Sequence, residues 1–268
     1  MSNIRDAHAI SSMGLVVGYG GRPVVSEITL SVERGMTLAL VGMNGSGKTT
    51  LLKTLAGLLP TVAGTVEVMG ARPGKIPRYI AYLSQFHSSE LILPLRVHDV
   101  VRTARYSVLG LLARSTLADE RLVRAAMERM GVDSLRDESL NTLSGGQRQR
   151  VFLAQALARD AELLLLDEPE ANLDAAGRET YRQTMRELTG RGRTVVLCTH
   201  DVEEAEACDQ AMLLANRVVA YGAGCAVLTP ETLLSTFGLT ARVVDGRVVV
   251  LEREHRRECG EEHIQQPH

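Results

Sequence analysis

Eight residues, Gly42-Met43-Asn44-Gly45-Ser46-Gly47-Lys48-Thr49, constrain this chain more than any other stretch. They fit the phosphate-loop pattern G-x-x-x-x-G-K-[ST]. Ahead of them Thr37-Leu38-Ala39-Leu40-Val41 is a short apolar run suited to a strand buried on both faces. Behind them Thr50-Leu51-Leu52-Lys53-Thr54-Leu55-Ala56 reads as the start of a helix. Strand, glycine loop and helix is the setting that the pattern needs. The glycines let the backbone take positive φ and approach a ligand closely. Successive N–H groups of Gly42, Asn44, Gly45, Ser46, Gly47 and Thr50 can then converge on phosphate oxygens, helped by the helix dipole. Lys48 is placed to reach the β- and γ-phosphates, and the Thr49 hydroxyl to ligate Mg²⁺.

Composition narrows the class. With 268 residues, 45% apolar, and a formal net charge of −2, the chain can bury a full core and carries no nucleic-acid-binding field. Met1 to Ser12 is polar and does not read as a signal peptide. No apolar run approaches the roughly 18 residues of a membrane span. Cys198, Cys208, Cys225 and Cys259 show no C-x-x-C spacing and read as reduced thiols of a cytosolic protein.

Short β-branched runs at Gly14–Val17, Val24–Val32 and Thr65–Val68 suggest an antiparallel sheet around the phosphate loop. Ile80-Ala81-Tyr82-Leu83 is a further strand ending at Ser84-Gln85. From Phe86 to Leu143 the pattern turns helical. Val97, Val100, Val101 and Ala104 form one stripe, and Leu122, Val123, Ala126, Met127 and Met130 a second. Strands return at Leu163–Leu166 and Thr194–Cys198, with a helix over about 175–189 between them, which implies a parallel sheet. After Ala211 the pattern reads as β again. Asp245-Gly246 between two valine-rich runs predicts a hairpin. The last stretch, with His255, Cys259, His263 and His268, matches no zinc spacing and reads as a solvated tail.

Two more segments carry chemistry. Leu163 to Leu166 followed by Asp167-Glu168 puts carboxylates at the carboxyl edge of a sheet, where ligands bind in α/β folds. Asp167 would hold Mg²⁺ through water, and Glu168 would orient and deprotonate the attacking water. In Leu143-Ser144-Gly145-Gly146-Gln147, Ser144 is an N-cap and Gln147 completes a capping box. That alone explains the segment structurally. Its functional reading is a second phosphate cradle, built from the bare amides of Gly145 and Gly146 at a helix N-terminus. A γ-phosphate does not need two cradles from one chain, which hints at a dimer.

With these residues in place the chain resembles the nucleotide-binding subunits of ABC transporters, whose signature is LSGGQ. The resemblance covers residues 14–238. It implies an α/β fold: a P-loop NTPase core with a parallel sheet, an antiparallel β subdomain and an inserted α-helical subdomain over about 86–143. A polar segment at 1–13, a C-terminal β-hairpin at 239–251 and a polar tail at 252–268 flank it. It implies an ATPase using ATP and Mg²⁺, in which Tyr19 stacks on adenine, and Gln85 senses Mg²⁺ and couples to a membrane partner. Ser144, Gly145, Gly146 and Gln147 engage ATP bound to a second copy of the chain. Asp174 links the two sites and His200 contacts the γ-phosphate. The implied partners are integral membrane permease subunits, with an extracytoplasmic substrate-binding protein in the same system. The implied place is the cytoplasmic face of the plasma membrane.

Glu170 and Ser84 depart from the family's usual residues, and Glu170 is expected to add an acid near Glu168. Leu95 to Val101, Arg105-Tyr106, Val218 to Gly222 and Leu228-Thr229-Pro230-Glu231 look like ATPases of manganese and zinc importers. Iron-siderophore, haem and cobalamin importers are the alternative. A soluble ATPase of the same fold, acting on ribosomes or chromosomes, is the rival class; those relatives usually carry two cassettes or a long coiled coil.

Overall fold

The computed structural model describes residues 8–85, 95–109, 115–244 and 247–252. Its centre is a six-stranded sheet built from β3 (Thr37–Val41), β5 (Ile80–Leu83), β6 (Leu163–Asp167), β7 (Thr194–Thr199), β8 (Gln210–Leu214) and β9 (Val218–Ala223), in the order β5-β6-β7-β3-β8-β9. All neighbours pair in parallel except β8 and β9. The interior strands are apolar without alternation because both faces are covered. Leu38, Leu40, Leu163, Leu165, Val196 and Met212 face one hydrophobic cluster. Ala39, Val41, Leu164, Leu166, Val195 and Leu213 face the other.

The first face packs on helix α1 (Lys48–Leu55), through Leu51, Leu52 and Leu55, and on a three-stranded antiparallel sheet. That sheet has the order β2-β1-β4, with β1 His8–Tyr19, β2 Arg22–Glu33 and β4 Ala63–Val68. Gly20 and Gly21, both at positive φ, form the two-residue hairpin loop between Tyr19 and Arg22. β1 begins at His8, so the last residues of the expected polar segment 1–13 belong to the sheet. Ala9 and Ile10 are fully buried there. The Ser12 hydroxyl donates to Ile28 O at 3.0 Å and accepts from Leu30 N at 3.2 Å, which makes a serine compatible with that interior.

The second face carries the helical lobe: α2 (Val97–Leu109), α3 (Leu117–Arg129) and α4 (Gly145–Ala158). The lobe does not close at Leu143, because α4 packs against α2 and α3 and shares their core through Val151, Ala154 and Ala158. Arg105 locks it: Nε donates to Asp119 Oδ1 at 2.9 Å, and Nη1 donates to the carbonyls of Ala158 and Arg159 at the end of α4. Helix α5 (Ala175–Gly190) joins β6 to β7, and the short α6 (Val202–Glu206) joins β7 to β8.

The stretch after Ala211 is not all β. After β9 come α7 (Gly224–Val227) and α8 (Pro230–Phe237). Thr229 caps α8 with a capping box to Thr232, Pro230 occupies the first turn, and Gly238 closes it at φ 67°. Strands β10 (Leu239–Val244) and β11 (Arg247–Glu252) then pair antiparallel, Val244 opposite Arg247. The Asp245-Gly246 turn, the start of the lobe at Phe86, and the tail with His255, Cys259, His263 and His268 lie outside the described residues.

Candidate active site

The strand order brings the sequence-predicted residues to one edge. β3 sits between β7 and β8, both distant from it in sequence, and α/β folds bind ligands at the carboxyl ends of strands in such a position. The phosphate loop leaves β3 there. Gln85 follows β5, Asp167 ends β6 and His200 follows β7 on the same edge.

The loop's glycines are required by space. A Cβ on Gly42 would lie 2.3 Å from Leu214 O, and one on Gly47, at φ 100°, would lie 2.2 Å from Val25 Cγ2. Gly45 also has positive φ. The loop is pinned from Ser46 O, which accepts from Asn216 N at 3.3 Å. Ser46 is buried with its hydroxyl unpartnered, whereas Asn44 is exposed. The Lys48 ammonium folds over the loop, donating to Gly42 O at 2.7 Å and Met43 O at 2.9 Å. Those two bonds use two of the three donors of the ammonium. Thr49 is half-buried at the start of α1, and Thr50 is buried behind it.

Asp167 is 1% exposed and neither carboxylate oxygen has a hydrogen-bond partner of good geometry. A buried carboxylate left open at a sheet edge beside a phosphate loop fits a hydrated divalent cation. Burial, and then the Asp167 carboxylate, push the adjacent Cys198 thiol well above its ordinary value, so it is an inert neighbour. Glu168 has left-handed backbone, φ 50°, and its N–H donates to Cys198 O at 3.1 Å. That strained position turns its carboxylate out of the strand line. Glu168 Oε2 accepts from Gln85 Nε2 at 2.9 Å, and Oε1 lies 3.9 Å from His200 Nδ1. Gln85, Glu168 and His200 therefore form one polar group, with the glutamate 12% exposed and the histidine largely exposed. Such a carboxylate can accept a proton from a water held at that edge.

The expected extra acid lines the same cavity as Glu168 and carries its own partner. Glu170 is turned into a bidentate pair with Arg182, at 2.7 and 3.0 Å. Fork-to-fork geometry of this kind neutralises a carboxylate efficiently. A cavity of about 340 Å³ beside it is lined by Glu168, Glu170, Asn172, Arg178, His200 and Glu204, among others.

Ser144, Gly145, Gly146 and Gln147 open α4 in the lobe. Ser144 Oγ accepts from Gln147 N at 3.3 Å, and Gln147 Oε1 accepts from Ser144 N at 2.9 Å. The capping box is thus formed, and the Ser144 hydroxyl hydrogen is left to donate outward. Asp174 caps α5, accepting from Gly177 N at 2.8 Å. Tyr19 ends β1 with about half its surface exposed. Sequence reasoning missed Gln149, Arg182 and Glu204. Each is a polar residue at a buried or half-buried helix position, with no local pattern to give it a partner until the fold supplies one.

Comparison with known proteins agrees with this geometry. The family model described as "ABC transporter" matches residues 25–171. The zinc transport system ATP-binding protein TroB of Treponema pallidum is 37% identical over 233 residues, covering 87% of this chain and 88% of that protein. The manganese transport system ATP-binding protein MntB of Bacillus subtilis is 37% identical over 225 residues, covering 84% and 90%. Among solved structures, one described as "an inward-facing conformation of a putative metal-chelate type ABC transporter" superposes with a TM-score of 0.74 at 27% identity, covering 91% of this chain and 96% of that one. The chain belongs to the ABC transporter family, as an ATP-binding, ATP-hydrolysing subunit.

Proposed function

We propose that this chain powers the import of a metal ion, manganese or zinc, or of a metal chelate. The observation that carries the reading is the convergence of Lys48, Asp167, Glu168, His200 and Gln85 on one sheet edge in a chain whose close relatives are named for zinc and manganese transport. Lys48 and the loop amides hold the triphosphate, with Tyr19 on the adenine. Thr49, Gln85 and Asp167 hold Mg²⁺, which neutralises charge on the phosphates. Glu168 takes the proton of the attacking water, and His200 orients that water and the γ-phosphate. The signature residues Ser144, Gly145, Gly146 and Gln147 close on ATP held by a second copy, and Asp174 lies between the two sites.

Among the described residues no helix is long and apolar enough to cross a membrane. The membrane subunits are separate chains in this reading, and the ATPase docks on their inner face. A groove of about 270 Å³ supports a docking place. It is lined by Tyr82, Leu83, Thr103, Phe152, Gln155 and Arg159, among others, between β5, α2 and α4. Its lining includes Leu83, two residues before Gln85 in the sequence, so a short helix of the permease seated there would touch the strand that leads to Gln85. A substrate-binding protein outside the membrane completes the system.

Capture of the tagged chain from detergent-solubilised membranes tests this reading. An integral membrane protein should co-purify and crosslink to Thr103 or Gln155. The complex in vesicles should take up manganese or zinc with ATP. Ribosomal or chromosomal material in place of a membrane protein would overturn it.

A further inference from the structure

Helix α4 does more than present Ser144. Five residues further along, Gln149 is 5% exposed, and its Nε2 donates to Pro169 O at 2.9 Å. Pro169 is the residue directly after Glu168. A second contact lies one turn earlier: a Cβ on Gly146 would come within 2.8 Å of Asn172 O, and one on Gly145 within 3.7 Å of Asn172 Cβ. The start of α4 thus rests on the β6–α5 connection at two points. That connection is tight: Ala171 N donates to Glu168 O and Leu173 N to Glu170 O, both at 3.1 Å, and Asn172 has φ 63°. Leu173 is buried in the core. With so little slack between Pro169 and Glu168, a shift of α4 reaches the Glu168 carboxylate through one hydrogen bond and one peptide.

We infer that Gln149 is a positioning residue, tying the Glu168 base to the signature helix of its own chain. Engagement of Ser144 by the nucleotide of the partner copy then aligns the base for this chain's own nucleotide. The two sites of a dimer become interdependent through each chain's α4. This inference rests on the proposed reading that the signature acts on ATP held by a second copy.

Gln149→Met keeps the unbranched volume and removes the donor, leaving Pro169 O unpaired; Gln149→Glu keeps the shape and sets acceptor against acceptor. In the complete transporter complex, both variants should bind ATP with unchanged affinity. Turnover should fall about tenfold, as the loss of one buried hydrogen bond implies. The Hill coefficient for ATP should fall toward unity, a change that a purely structural role would not give at constant affinity. ATP-driven dimer formation, followed in the Glu168→Gln background, should persist when Gln149→Met is added. Unchanged turnover and cooperativity in a chain that still dimerises would overturn the link alone. Failure of Glu168→Gln itself to dimerise with ATP would remove the premise and the link with it. Loss of ATP affinity in both Gln149 variants would show a residue that holds the fold, and would also overturn the proposal.

Discussion

Replacing Glu204 by glutamine should make the protein more stable than wild type at alkaline pH, by a margin that shrinks as the pH is lowered. Glu204 lies on α6, is 4% exposed, and has Oε1 without a partner. Burial is the largest influence on it and pushes its pKa from 4.5 up to about 7. The Thr199 hydroxyl pulls it down, Glu170 and Asp201 push it up, and Arg182 offsets them in part. Below 4.5 the carboxyl holds its proton in both folded and unfolded chains, and glutamine is close to isosteric with that form. Between 4.5 and about 7 the folded chain binds the proton more tightly than the unfolded chain. Stability therefore falls as pH rises through this window and stays lowered above it. At about 1.4 kcal/mol per pH unit, the full loss is about 3 kcal/mol. The Glu204→Gln variant does not suffer it, because its amide never ionises. Urea unfolding of the nucleotide-free chain at pH 5 and pH 8 reads the difference directly. A gap between variant and wild type that is the same at both pH values would refute the reasoning.

Two further outcomes concern the site. Glu168→Gln should bind ATP within a few-fold of wild type and release phosphate about 10²–10³ times more slowly; near-normal turnover would remove Glu168 as the base. Gly47→Ala should lose nucleotide binding and about 2 kcal/mol or more of stability, because φ 100° is strained for alanine and its Cβ meets Val25; an ATP titration and a thermal melt matching wild type would contradict this.

How much the sequence discloses follows from what each signal depends on. The interior strands are legible because burial on both faces imposes an unbroken apolar run, as in Leu163 to Leu166. The phosphate loop is legible because its backbone needs glycine at fixed positions. The start of β1 is not, since Ser12 looks exposed until Ile28 and Leu30 supply its partners from the neighbouring strand. α8 is hidden for a different reason: the valine-rich stretches around it suggest strands, while its evidence is local, a capping box and a proline at Thr229-Pro230. The pairing of Glu170 with Arg182 and the Gln149–Pro169 bond depend on packing between separate elements. No local pattern encodes them. The roles proposed for Ser144 and Gly146 are a further step removed, because they would concern an interface between two copies.

Mixed dimers of Lys48→Ala with Ser144→Arg test that interface most directly. If each site joins the phosphate loop of one chain to the signature of the other, one site of the mixed dimer collects both defects. The second site pairs an intact loop with an intact signature. If each site lay within one chain, both would carry a defect. Hydrolysis and trapping of labelled nucleotide are measured together, so that obligate cooperation between sites cannot mask the rescue. Activity or trapping above that of either variant alone is the predicted result; neither, in mixed dimers shown to form, would contradict a site shared between two copies.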